Sequence, residues 1–149
     1  MLEAERHAED VFATVCDITL SADLTQAEVR LAGHPAPLVV RGGYMGQMKV
    51  GDRGPLLGLD GNAKWPVSTV ALGEDWAIVL FTDGVVEGRT PSGARLDVAG
   101  LVDMTRPTVA SGGTLGTLAD ELLAAAERAN GGPLPDDVAL FLLGAGTRW

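Results

Sequence analysis

The chain is poor in cysteine, in positive charge and in long apolar runs, and each shortage removes a class of function. Cys16 is its one cysteine, so no intrachain disulfide can form, and a thiol inside a strand-like run is expected to be buried in a reducing compartment. Lys and Arg number 11 against 20 Asp and Glu, a formal net charge of -9. That balance opposes a nucleic-acid or anionic-membrane partner, since both are held by clustered cations. No apolar run approaches the roughly 18 residues of a spanning helix, and no basic segment followed by an apolar one opens the chain, which places it in the cytoplasm. Neither GxGxxG nor GxxxxGKS/T occurs, and there is no repeat, charge block or low-complexity tract.

What is present is a foldable core. Hydrophobic residues make up 46% and charged residues 21%, which excludes disorder, and the length suits one domain spanning residues 1–149. The organising stretch is WAIVLFTDGVVEGR, residues 76–89. Residues 76–81 are too continuously apolar for a half-solvated strand and too short for a typical helix, so they form a strand covered on both faces. Thr82-Asp83-Gly84 follows at its exit, where Gly84 lets the backbone turn sharply or approach an ion closely. Alone, Asp-Gly after a strand is an ordinary turn signal. A second acidic site changes that balance, because Pro135-Asp136-Asp137 stands at the entrance of the apolar run 138–143. If the two strands are antiparallel neighbours, Asp83 and Asp136 share one edge of a sheet and can hold a hard divalent cation through oxygen ligands.

The remaining elements follow from pattern. Residues 12–20 and 27–32 are strands joined by a turn at 21–26, and 38–41 is a strand after the rigid Gly33-His34-Pro35-Ala36-Pro37 loop. Glycines across 42–60 mark hairpins and loops around 44–50. Residues 67–72 form a strand that Gly73-Glu74-Asp75 turns into the strand at Trp76, which predicts a hairpin. A short helical turn follows Gly84. Val98, Leu101 and Val102 give helical spacing across 96–104, a helix that Asp97 caps or flanks. The clearest helix is 115–128, with Thr114 as cap, Asn130-Gly131 as stop, and Leu115, Leu118, Leu122 and Leu123 expected to be buried against a sheet. Ser111-Gly112-Gly113 ahead of it suggests a rival function, a phosphate- or nucleotide-binding nest at a helix N-terminus, against the plainer reading of loop plus cap.

In order along the chain, VFATV from Val11, LAGHPAPL from Leu31, GPLLGL from Gly54, LFTDGVVE from Leu80 and DDVA from Asp136 resemble the metal-dependent PPM protein phosphatases, in their bacterial SpoIIE branch. The five segments cover most of the chain. The resemblance implies an α+β fold, an αββα sandwich of antiparallel sheets flanked by helices. It also implies hydrolysis of phosphoserine or phosphothreonine by water held between two Mn2+ or Mg2+ ions. Asp83 and Asp136 match the family's metal ligands, the 54–59 loop is implied to lie near the active edge, and His34, Glu87 and Asp137 take no assigned role.

The family's opening acidic segment, of the GGDxYD and DxxGHG kind, is not found here, so the chain resembles the C-terminal part of such a domain and its sandwich is expected to be incomplete. An open sheet edge would then favour self-association. The expected partner is a phosphoprotein, with an anti-sigma-factor antagonist implied by the branch. The alternative function is a non-catalytic regulatory or phosphoprotein-binding domain that keeps the core without turnover.

Overall fold

The computed structural model describes residues 12–90, 93–134 and 137–146. Its strands are β1 (Val15–Leu20), β2 (Gln26–Ala32), β3 (Leu38–Arg41), β4 (Tyr44–Gln47), β5 (Ser68–Ala71), β6 (Trp76–Phe81) and β7 (Leu140–Ala145). The helices are α1 (Val98–Ser111) and α2 (Leu115–Asn130), with a short 3-10 turn at Asp83–Val85. Among the described residues, two antiparallel sheets and two helices make an α+β fold, and the chain divides into two compact units.

The first unit holds the segments ending at Ala36 and Met48–Gly73, and its sheet has the order β1-β2-β5. The β1–β2 hairpin forms as its alternating sequence dictates, pairing Val15 with Ala32 through Leu20 with Ala27. Ala27, Val29 and Leu31 are buried on one face of β2 while Gln26 and Glu28 between them stay wet. Asp23 organises the connecting turn by accepting hydrogen bonds from the Ser21 hydroxyl at 2.6 Å and from the Thr25 amide and hydroxyl. Those donors, Ser21 foremost, hold its carboxyl below the ordinary range. The 54–59 loop is stitched within this unit, with Leu57 and Ala13 exchanging backbone bonds and the Trp65 indole donating to the Pro55 carbonyl at 2.8 Å.

Cys16 lies on β1 half-buried, where a fully buried thiol was expected, because β1 is an edge strand whose residues alternate between exposed and half-covered. Desolvation, with the Asp17 charge beside it, still pushes the thiol up to about 11. A thiol stays unreactive until it ionises, so alkylation by iodoacetamide should be slow at pH 8 and accelerate toward pH 11. The unfolded thiol titrates near 8.5, so the stability this group lends is complete below that pH and is lost as pH rises through about 11. Rapid alkylation of the native chain at pH 8 would contradict this environment.

The second unit comprises Pro37–Gln47 and the segment from Glu74 onward, with sheet order β4-β3-β6-β7. β6 is internal and pairs antiparallel with both β3 and β7, and its apolar run is buried on both faces. Its core gathers Leu38, Val40, Ala77, Val79 and Phe81 from the sheet with Leu101 and Val109 of α1 and Leu118 and Leu122 of α2. Each of these Leu, Val and Phe side chains contributes roughly 1.5–3 kcal/mol on burial. Leu118 and Leu122 are fully buried as the stripe predicts, whereas Leu115 and Leu123 are half-buried, the rest of the packing face being Ala125, Ala126 and Ala129.

Two sequence expectations are corrected. β5 and β6 are not a hairpin: β5 pairs with β2 in one sheet, β6 with β3 and β7 in the other. Gly73, at φ 85°, precedes a bend at residues 74–75 in place of the predicted tight turn, and such a local signal leaves the strand's partner open. The Thr25 carbonyl takes the Leu72 amide at 2.8 Å and keeps the end of β5 on its own sheet. The helix expected to stop at 104 instead continues to Ser111 through Pro107, whose ring lies on the exposed face, so the carbonyl it leaves without an amide is on the solvent side. Both helices carry the predicted caps, Asp97 accepting from the Gly100 amide and Thr114 from that of Thr117. Among the described residues, no helix is long and apolar enough to cross a membrane.

Candidate functional site

The site is the end of the β6–β7 pair. Phe81 is opposite Leu140 in an antiparallel register, so the exit of β6 and the approach to β7 meet. Thr82 fastens them. Its amide donates to the Ala139 carbonyl at 3.0 Å, while its hydroxyl accepts from the Ala139 amide at 2.9 Å and donates to the Asp137 carbonyl at 3.3 Å. The backbone then curls into the Asp83–Val85 turn, closed by the Val86 amide on the Asp83 carbonyl at 2.8 Å.

Gly84 is buried against the other strand's approach. A Cβ built on it would stand 2.5 Å from the Asp137 carbonyl oxygen, so this position needs glycine for close backbone approach. Segments 82–84 and 137–139 are thereby held side by side, with Asp83 and Asp137 exposed. Asp136, the other expected ligand, and the predicted Asp83–Asp136 pairing lie outside the described residues.

Carboxylates and backbone carbonyls suit a hard ion such as Mn2+ or Mg2+. Among the described residues, no three His, Cys, Asp or Glu side chains group as a metal site. The donors therefore fit a divalent ion in kind and supply only part of the roughly six ligands it takes.

The other sequence candidates take different places. Glu87 forms an ion pair with Arg95. His34 belongs to the first unit, its Nδ1 3.1 Å from the Thr14 hydroxyl. At the rival site, Ser111 ends α1 with its hydroxyl on the Thr108 carbonyl at 2.8 Å, and Gly112 caps that helix. A reciprocal Thr114–Thr117 capping box occupies an amide of α2 that an anion would need, so loop plus cap is the arrangement found. Sequence reasoning missed the clasp role of Thr82. The Thr-Asp-Gly triplet was its signal, but the hydroxyl's partners are 55 and 57 residues away.

Among curated proteins, none matches the chain by sequence. Its structure is similar to the RsbU and RsbW domains of a Mycobacterium tuberculosis protein, with TM-score 0.71 and 26% identity over 91% of this chain and 36% of that one. It also resembles the phosphatase domain of the cell fate determinant SpoIIE from Bacillus subtilis, with TM-score 0.62 and 15% identity over 91% and 59% of the two chains. The S. agalactiae serine/threonine phosphatase gives TM-score 0.64 and 12% identity over 97% and 64%. The chain thus spans from 36% to 64% of the length of these structures, and the last two likenesses speak for the fold. The model of the family described as Stage II sporulation protein E (SpoIIE) matches residues 2–145, and the chain belongs to that family.

Proposed function

We propose that the chain carries part of the catalytic site of a protein phosphatase acting on phosphoserine or phosphothreonine, with Asp83 and Asp136 as metal ligands. The observation that carries this reading is the Thr82 clasp, which holds the Asp83 turn beside the 137–139 approach to β7. A bound Mn2+ or Mg2+ ion would supply a strong oxygen nucleophile near neutral pH and screen the phosphoryl charge. The protein's own part is to present the Asp83 carboxylate at an exposed strand end and to hold its turn beside Asp137 and Ala139 through Thr82 and Gly84. The substrate is a phosphoprotein, an anti-sigma-factor antagonist by analogy with the SpoIIE branch, met in the cytoplasm.

The shortage of ligands among the described residues favours a second reading, a regulatory domain that binds a phosphoprotein without turnover. A manganese titration with an aryl phosphate separates the two. Residues 1–149 alone should show negligible hydrolysis, and a fusion that adds an acidic, GGD-type donor segment should show manganese-dependent turnover. Absence of turnover in both, with phosphoprotein binding retained, would establish the regulatory reading.

A further inference from the structure

Beyond the acidic edge, segments 88–90 and 93–96 lie side by side in antiparallel fashion. Arg89 and Arg95 oppose each other across an isolated bridge, the Leu96 amide donates to the Gly88 carbonyl at 2.7 Å, and the Thr90 amide to that of Ala94 at 2.8 Å. The paired segments are moored to the end of α2, since the Asn130 side-chain oxygen accepts from the Arg89 amide at 3.1 Å. The Asn130 amide nitrogen in turn donates to the Pro133 carbonyl at 2.6 Å.

Directly opposed residues of an antiparallel pair have Cβ atoms within about 5.5 Å, so two arginines there repel each other. Glu87 pairs with Arg95, while Arg89 donates to the Gly93 carbonyl, and among the described residues no carboxylate pairs with Arg89. The three side chains line a pocket of about 200 Å³ and leave one positive charge uncompensated in a chain of net charge -9. An oxyanion answers this arrangement, because guanidinium groups bind phosphate and carboxylate with paired, charge-assisted hydrogen bonds.

We propose that Arg89 and Arg95 bind the phosphoryl group of the phosphoprotein substrate, with Glu87 holding Arg95 until that group displaces it. This identification of the ligand rests on the phosphatase reading; the pocket itself rests on the opposed arginines.

Binding and turnover therefore need separate readouts. Fluorescence anisotropy should compare a labelled phosphoserine peptide, its serine counterpart and its glutamate counterpart on residues 1–149 in EDTA. The phosphopeptide should bind tightest. Arg89→Ala and Arg95→Ala should each weaken it about tenfold, Arg→Lys should lose less, and Glu87→Gln should tighten it. Unchanged phosphopeptide binding in both alanine variants would overturn the pocket, as would weaker binding in Glu87→Gln or no binding by the wild type. Equal binding of the glutamate peptide would overturn the assignment to a phosphoryl group. Arginine-dependent binding without hydrolysis, even when a donor segment and manganese are supplied, would support the pocket and refute the phosphatase reading.

Discussion

Gly84→Ala should lower stability by about 3 kcal/mol, or roughly 10 °C in Tm for a chain of this length. The added methyl meets the Asp137 carbonyl oxygen at 2.5 Å, and neither group is the free end of a flexible side chain. Relief requires the two backbones to separate, which strains the Thr82 bonds to Asp137 and Ala139. Gly73→Ala is the matched control. That residue has φ 85° with open space around it, so the substitution adds only backbone strain, about 1 kcal/mol. Urea unfolding of both variants measures the difference, and equal losses would show that the Gly84 approach is not close.

Asp83→Asn should do the reverse, sparing stability and abolishing metal-dependent chemistry. Asp83 is an exposed carboxylate at a strand end, so its neutralisation should shift stability by no more than about 0.5 kcal/mol. Hard cations depend on anionic oxygen ligands, and loss of one from an already partial set should cut manganese-dependent turnover of the donor-segment fusion at least about a hundredfold. Turnover by Asp83→Asn within a factor of a few of the parent fusion would remove Asp83 from the ligand set. A large fall in Tm would instead recast it as a structural residue.

The parts of this account legible in the sequence are those in which one side chain's chemistry decides its place. Six consecutive apolar residues made β6 an internal strand, alternation made the β1–β2 hairpin, and Thr114 and Asp97 announced their helices. The acid at the exit of that apolar strand is likewise where the pattern put it, Asp83 standing exposed in the turn after β6. Features that depend on partners distant in sequence were hidden. Gly73 gives no sign that β5 joins β2 while β6 joins β3, and Pro107 is a helix breaker by composition that the exposed face of α1 tolerates. Gly84 was read as a residue for turning or approaching an ion, and the structure places it against the Asp137 carbonyl. The opposed arginines were equally invisible, because their geometry depends on paired segments moored to Asn130, 41 residues beyond Arg89.

The claim that the β6 exit and the β7 approach share one ion is tested most directly by manganese-induced broadening of backbone amide NMR signals. Paramagnetic broadening falls steeply with distance and needs neither catalysis nor a complete ligand shell. In residues 1–149, the amides of 83–86 and of 136–139 should broaden together along one titration curve, and both sets should be spared in Asp83→Asn. Broadening confined to one segment, or two segments that titrate independently and survive Asp83→Asn, would contradict a shared site.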